Sequence, residues 1–237
     1  METRLIMLPG LAADERLLCE QRKAFEANST VPAWLTPEPG ETLRAYSERF
    51  AAHLGARGLL GEPFAFVGFS FGGQVALEMS RVLRRRGEAL PTAIVLISAC
   101  RTRDAVTADF KRQVRVGTLL PDALVRAVAI RASGAFAKRA LADEPRWVEL
   151  VRGMALDLDV PMLKWGGRAT AAWGWTRDDE RELTEAGVRV HHVHGSRDVI
   201  IPPVAGYPDE LVEDAGHLIQ WTHAERVNDA IRRACVG

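Results

Sequence analysis

The chain has 237 residues, 47% of them hydrophobic, which suffices for one α/β domain of ordinary size with a substantial core. Lysine and arginine total 31, and aspartate and glutamate also total 31, so the formal net charge at pH 7 is zero. This balance argues against a general nucleic-acid binder and against a protein held at membranes by a polybasic patch.

Two further features bear on location. No stretch approaches 18 apolar residues, so no transmembrane helix is expected, and the first apolar segment, residues 5–8, is too short for the core of a signal peptide. The three cysteines, Cys19, Cys100 and Cys235, have neither metal nor redox spacing. This pattern indicates reduced thiols and a cytoplasmic location. The sequence does not indicate the oligomeric state.

Predicted strands and helices alternate at both ends of the chain. The predicted strands are residues 4–8, 31–35, 64–67, 92–98, 188–194 and 210–213. The predicted helices outside the middle segment are residues 14–27, with Asp14 as N-cap, 42–57, 73–86 and 224–234. Alternation of this kind predicts an α/β protein with a mostly parallel, doubly wound sheet and helices on both faces.

The middle of the chain has a different pattern. Residues 101–187 contain helical patterns punctuated by prolines and no convincing strand. Such an insertion, placed at the carboxyl edge of the sheet, would lie over the ligand crevice. We interpret it as a helical cap, inserted before the strand at 188–194, on a core formed by residues 1–100 and 188–237.

The most informative motif is a pentapeptide. Residues 68–72 read Gly-Phe-Ser-Phe-Gly, a G-x-S-x-G pattern with a predicted strand before it and a predicted helix after it. In that context the serine occupies a strained turn that exposes its hydroxyl at a helix N-terminus. The segment lacks the lysine of a P-loop and the spacing of a dinucleotide site. Ser70 is therefore the candidate nucleophile.

A serine nucleophile needs a base, and the base needs an orienting acid. Asp198 follows the strand at 188–194, and His217 follows the strand at 210–213. Ligands gather at the carboxyl ends of strands in open α/β sheets. Ser70, Asp198 and His217 also stand in the chain order of α/β-hydrolases.

Four segments carry a resemblance to a known family. The sequence resembles a single-domain member of the α/β-hydrolase superfamily, and the matching segments bracket nearly the whole chain apart from the cap. They are Leu8-Pro9-Gly10-Leu11, Gly68-Phe69-Ser70-Phe71-Gly72-Gly73, His194-Gly195-Ser196-Arg197-Asp198 with Ile201-Pro202, and Ala215-Gly216-His217. The pentapeptide and the helix that follows it also resemble the corresponding segment of the small type II thioesterases that serve polyketide and peptide synthases.

The resemblance implies a metal-free, cofactor-free serine hydrolase. It assigns the oxyanion hole to the backbone N–H groups of Leu11 and Phe71, and these donors do not depend on the side chain. Two positions depart from the usual pattern: Pro9 stands where many relatives have histidine, and Phe69 replaces a polar residue before the serine.

Several residues have competing interpretations. Asp104 follows the strand at 92–98 and is an alternative to Asp198 as the acid, while Asp214 is interpreted as a loop carboxylate. His192 and His194 share one face of a strand, but no third metal ligand is evident, so we expect no metal.

The aromatic residues suggest a substrate pocket. Trp165, Trp173 and Trp175 cluster in the predicted cap, where they either pack structurally or line an apolar acyl pocket together with Phe69. Phe69 and Phe71 flank Ser70, which favours an apolar acyl group over a sugar or a charged peptide.

These observations predict hydrolysis of a carboxylic ester or thioester through an acyl-enzyme. A thioesterase of acyl-CoA or acyl-carrier substrates is the narrower alternative. The same scaffold hosts lyases and cofactor-free oxygenases, and a non-catalytic binding protein would be expected to show a broken triad. The sequence identifies neither the acyl group nor the leaving group.

Overall fold

A computed structural model describes residues 3–61, 63–141 and 144–235. Residues 1–2, 62 and 236–237 of the predicted core, and residues 142–143 of the predicted cap, lie outside the described residues. No helix among those described combines the length and the apolar character needed to cross a membrane.

The strands form one six-stranded sheet in the order β2-β1-β3-β4-β5-β6, with every neighbouring pair parallel. The strands are β1 (Arg4–Leu8), β2 (Ser29–Thr30), β3 (Phe64–Phe69), β4 (Ala93–Ile97), β5 (Arg189–Gly195) and β6 (Glu210–Val212). The predicted parallel α/β sheet is confirmed.

Ten α-helices lie among the described residues. They are α1 (Cys19–Ala24), α2 (Leu43–Ala56), α3 (Phe71–Arg86), α4 (Ala108–Leu119), α5 (Asp122–Ala140), α6 (Pro145–Leu156), α7 (Val160–Ala171), α8 (Arg177–Glu185), α9 (Ile219–Thr222) and α10 (Ala224–Cys235). Short 3₁₀ turns at Glu15–Leu18 and Arg103–Ala105 precede α1 and α4.

The sheet is covered on both faces. In β3 the side chains of Phe64 and Phe66 join one apolar cluster with α2, α3 and α8. Those of Ala65 and Val67 join the opposite cluster with α10. Successive side chains of a strand point to opposite faces, so a strand buried on both faces reads as a continuous apolar run.

Two predicted elements differ from the structure. The second strand is only Ser29–Thr30, because Pro32 lacks the N–H that would extend pairing on this edge strand. The first helix begins as a 3₁₀ turn capped by Asp14 and its α-helical part ends at Ala24. It stops there because the chain turns toward the sheet, where Leu5 N donates a 2.8 Å hydrogen bond to Asn28 O.

The segment between β4 and β5 is helical in its described residues. It contains α4 to α8, and α4 packs against α7. Helix α8 packs against α3 and β5 and so belongs to the helical layer of the sheet. The division of residues 101–187 as a separate cap stays a prediction.

Candidate active site

The turn between β3 and α3 is strained at Ser70. Its backbone has φ 52° and ψ −118°, in a region that residues other than glycine rarely occupy. Two hydrogen bonds hold the turn: Ser70 N donates to Ile97 O at 2.9 Å, and Gly73 N donates to Ser70 O at 3.0 Å. Ser70 thus lies at the carboxyl edge of the sheet, at the N-terminus of a 16-residue helix.

The glycines of the pentapeptide allow this close approach. A Cβ on Gly72 would overlap the carbonyl oxygens of Leu8 and Pro9, and a Cβ on Gly68 would lie 2.5 Å from the backbone N of Gly73. Strand β1, strand β3 and helix α3 can therefore meet here only without side chains at both positions.

Asp198 and His217 form a buried pair at the same edge of the sheet. Nδ1 of His217 lies 2.7 Å from Oδ2 of Asp198, and both side chains are more than nine-tenths buried. Arg197 N donates to Ala215 O at 2.8 Å, which ties the turn that carries the acid to the loop that carries the histidine.

The carboxylate of Asp198 accepts four hydrogen bonds. Its Oδ1 accepts from the backbone N–H groups of Ile200 at 2.8 Å and Ile201 at 2.9 Å. Its Oδ2 faces His217 and, at 3.1 Å, Nε2 of His194. Burial alone would raise the pKa of Asp198, but the hydrogen bonds from His194 and His217 outweigh burial and hold that pKa below its ordinary value.

Behind Asp198 lies a pair of buried histidines. Nε2 of His194 faces two acceptors, Asp198 Oδ2 and Ile201 O at 2.8 Å, so it carries the proton. In the neutral ring Nδ1 then accepts from Nε2 of His192 at 2.8 Å. Burial, followed by the neighbouring His194, lowers the pKa of His192. The two rings therefore form a hydrogen-bond chain that ends at Asp198.

Asp104, the alternative acid, lies elsewhere. Its Oδ2 accepts a 2.9 Å hydrogen bond from the hydroxyl of Tyr207. Asp214, the other nearby carboxylate, pairs with Arg197 at the surface. Of the three candidate acids, Asp198 is the one whose carboxylate the structure places against His217.

Ser70 opens onto a cavity of about 180 Å³. Most of its lining is apolar, and polar groups come from few side chains. The lining residues are Leu11, Ser70, Phe71, Gln74, Cys100, Ala105, Val106, Thr107, Phe110, Thr170, Ile200 and Ile201. Burial raises the pKa of the Cys100 thiol to about 12, so this thiol stays protonated and leaves Ser70 as the candidate nucleophile.

The predicted oxyanion donors border this cavity. Leu11 and Phe71 both line it, and neither backbone N–H donates to a protein acceptor within the described part of the chain. Free N–H groups beside a nucleophile at a helix N-terminus are what stabilisation of an oxyanion requires.

The aromatic residues predicted for the pocket lie elsewhere. Trp165 and Trp173 line a separate cavity of about 530 Å³ between α2, α3 and α7. Trp175 is fully buried and stacks on Trp173 with ring centroids 6.2 Å apart. Phe69 packs edge-on against the His217 ring, with centroids 5.0 Å apart. None of the four lines the Ser70 cavity, so we do not retain them as pocket residues.

Ser70 and His217 lie in the same region of the molecule, but no direct hydrogen bond joins their side chains in the described part of the structure. His217 lies against Phe69, the residue that precedes Ser70. In unliganded hydrolases this bond is often long and tightens when substrate binds.

Sequence reasoning missed Gln74 and the first residues of the helical segment, among them Val106 and Phe110. A signal for Gln74 was present, because a residue four positions after Ser70 lies on the same face of the helix. The position of residues 105–110 over Ser70 depends on tertiary packing, which no local pattern encodes.

The sequence and the fold both resemble those of known proteins. Residues 8–230 match the model of the "Alpha/beta hydrolase family". No curated protein matches the sequence.

Solved structures share the fold at low sequence identity. A thermophilic esterase from Thermogutta terrifontis is 21% identical with a TM-score of 0.78, and the alignment covers 98% of this chain and 89% of that one. A bromoperoxidase from Bacillus anthracis is 16% identical with a TM-score of 0.73, covering 99% and 92%. The type II thioesterase BorB from the borrelidin biosynthetic cluster is 21% identical with a TM-score of 0.66, covering 99% and 93%.

The family model spans strands β2 to β6, the serine turn and the segments that carry Asp198 and His217. The chain therefore belongs to the alpha/beta hydrolase family.

Proposed function

We propose that this protein is a serine hydrolase that cleaves a carboxylic ester or thioester through an acyl-enzyme. The observation that carries the proposal is the buried Asp198–His217 pair beside the strained Ser70, which opens onto a largely apolar cavity with two free backbone N–H groups. Esterases and thioesterases among the structural neighbours fit this reaction class.

The first half of the reaction transfers the acyl group to Ser70. His217 takes the hydroxyl proton through Nε2 as Ser70 Oγ attacks the carbonyl carbon, and the carbonyl oxygen becomes an oxyanion held by the N–H groups of Leu11 and Phe71. The C–O or C–S bond then breaks, and His217 delivers the proton to the leaving alcohol or thiol.

The second half returns the enzyme to its starting state. Water attacks the acyl-enzyme while His217 accepts its proton, and the bond to Ser70 breaks as His217 protonates Oγ. The carboxylate of Asp198 accepts from Nδ1 of His217 throughout, which holds the productive tautomer and stabilises the imidazolium. This step requires an ionised Asp198, in keeping with its lowered pKa.

Replacement of the nucleophile tests the proposal. Ser70→Ala should lower turnover of p-nitrophenyl butanoate by about 10³-fold or more. It should also abolish covalent labelling by a fluorophosphonate probe. Ser98→Ala is the matched control, because Ser98 is a buried serine at the end of the neighbouring strand, also with positive φ. Labelling that persists in Ser70→Ala, or is lost in Ser98→Ala, contradicts the assignment.

A thioesterase is the narrower candidate, and the likeness to the type II thioesterase BorB favours it. Acyl-CoA and carrier-bound thioesters, assayed against p-nitrophenyl esters of the same acyl groups, separate the two activities. A kcat/KM at least about 10-fold higher for the thioester, corrected for the intrinsic reactivity of each leaving group, would assign thioesterase activity.

A further inference from the structure

Gln74 is a buried amide in the Ser70 cavity, and the reaction described above does not use it. It lies one helical turn after Ser70 on α3, lines the cavity and is 2% exposed. Residues four apart on a helix are neighbours, so Gln74 stands beside the reacting group.

One end of this amide is held in place. Oε1 of Gln74 accepts a 2.9 Å hydrogen bond from the hydroxyl of Thr170, a residue of α7 that also lines the cavity. Nε2 is buried and has no hydrogen-bond partner among the described residues. In this arrangement the amide oxygen faces Thr170, and the two N–H donors on Nε2 are the free end.

A buried donor without an acceptor costs free energy, and this one lies on a residue that lines the Ser70 cavity, where a substrate acceptor can satisfy it. The surrounding walls offer little competition, because Leu11, Val106, Phe110, Ile200 and Ile201 are apolar. Beyond the N–H groups of Leu11 and Phe71, which the oxyanion would occupy, a further donor held in a largely apolar cavity discriminates strongly between a substrate that carries a second acceptor and an analogue that lacks one.

We infer that Nε2 of Gln74 donates a hydrogen bond to an oxygen on the acyl chain, a few bonds from the scissile carbonyl. The substrate class is then an acyl group with an oxo or hydroxyl substituent near the carbonyl rather than a plain hydrocarbon chain. This inference rests on the proposed function, because it places the acyl group in the cavity of Ser70.

The test compares acyl groups on one leaving group. The substrates are the butanoyl, 3-hydroxybutanoyl and 3-oxobutanoyl thioesters of N-acetylcysteamine. The readout is the ratio of kcat/KM between an oxygenated substrate and butanoyl, corrected for the intrinsic reactivity of each thioester. The wild-type protein should favour both oxygenated substrates by about 10-fold or more. A keto oxygen can only accept, so preference for the 3-oxo substrate indicates a donor on the protein.

Three variants connect that preference to Gln74. Gln74→Leu removes the amide, Gln74→Met keeps a flexible chain of similar length, and Gln74→Glu keeps an acceptor but loses the N–H donors. The ratio should fall to near one for both oxygenated substrates in Gln74→Leu and Gln74→Met, and for the 3-oxo substrate in Gln74→Glu, because a keto oxygen finds no donor there. Because each ratio is taken within one variant, a general loss of activity or of folded protein does not affect it. Gln113→Leu, at an exposed position on α4, is the matched control and should keep the wild-type ratio.

The outcomes separate this inference from the proposed function. A wild-type protein that reacts with fluorophosphonate at Ser70 but shows a ratio near one overturns the role of Gln74 and leaves the hydrolase intact. A ratio that persists in Gln74→Leu, or for the 3-oxo substrate in Gln74→Glu, also overturns it. Failure of the wild-type protein both to react with fluorophosphonate and to hydrolyse any of the three thioesters contradicts the proposed function itself.

Discussion

The charge state of Asp198 depends on the hydrogen-bond donors packed around it. Asp198 has no exposed surface in its side chain, yet it carries a charge, so its ionisation depends on the donors that surround it. His194 contributes one of these donors, and His192 fixes the tautomer of His194 through a 2.8 Å hydrogen bond.

His194 is therefore expected to be a positioning residue for the acid. His194→Leu removes a donor to Asp198, so the pKa of that carboxyl rises and its protonated form persists to higher pH. We expect kcat/KM to fall by about 10-fold and the acid limb of its pH profile to move to higher pH. The measurement is kcat/KM for p-nitrophenyl butanoate between pH 4 and 9.

Two variants make this result specific. His194→Gln keeps an N–H donor near the position of Nε2 and should restore most of the acid limb. His191→Gln alters a histidine of the same strand that pairs with Glu210 instead, so its profile should match that of the wild-type protein. An unchanged acid limb in His194→Leu would show that His194 only fills space.

Among the elements, the junction of β1, β3 and α3 sets the position of the nucleophile. Gly72→Ala would place a methyl group against the carbonyls of Leu8 and Pro9, which belong to β1 and its following loop. We expect a loss of about 3 kcal/mol or more in the free energy of unfolding, measured by urea denaturation. Gly134→Ala lies within α5, where the new Cβ meets open space. This substitution should raise the free energy of unfolding, by at most about 1 kcal/mol. Equal effects at the two positions would contradict this account of the junction.

The elements that the sequence predicted well are those whose signal is local. The run at β3, the glycines after it and the helix at α3 all depend on neighbours in the chain, so the serine turn could be located from the sequence. The second strand could not be placed, because its pairing with β1 depends on how Pro32 and Asn28 meet the edge of the sheet.

The pocket could not be predicted from the same kind of signal. A helical pattern shows that α7 has an apolar face but not what that face covers. Trp165 packs against Tyr46 of α2, with ring centroids 4.5 Å apart, rather than over Ser70. The residue of α7 that does reach the cavity is Thr170, whose hydroxyl binds Gln74. Rotation of a helix about its axis is set by tertiary packing, which a local sequence pattern does not determine.

At the level of the whole molecule, ionisation and folding are coupled. The pKa of Asp198 is lowered in the folded protein, so Asp198 stabilises the fold above about pH 4, where an unperturbed aspartate titrates, and this contribution is lost as the pH falls. Burial opposes a lowered pKa at Glu41 and Glu210 too, but hydrogen bonds from Arg49 and Arg233 outweigh it. These two carboxylates therefore also stabilise the fold at neutral pH and lose that contribution as the pH falls.

Replacement of Asp198 should therefore change the pH dependence of global stability. In Asp198→Asn a neutral amide replaces the carboxylate opposite two histidine side chains. The free energy of unfolding should therefore fall by about 3 kcal/mol at pH 7. The difference from the wild-type protein should shrink as the pH falls below about 4. Urea unfolding between pH 3 and 7 measures it, with Asp104→Asn as the control carboxylate. A difference that stays constant with pH would mean that Asp198 contributes through shape rather than charge.

The order of the strands along the chain has a consequence for assembly. Ser70 belongs to the first half of the sequence, whereas Asp198 and His217 lie in the segments after β5 and β6, at the edge of the sheet opposite β2. Domains tend to form from the N-terminal side during synthesis. The serine turn can therefore exist while the growing chain still lacks its base. Under the proposed mechanism, hydrolysis requires both β5 and β6 to join the sheet, so turnover would report the last steps of assembly rather than the first.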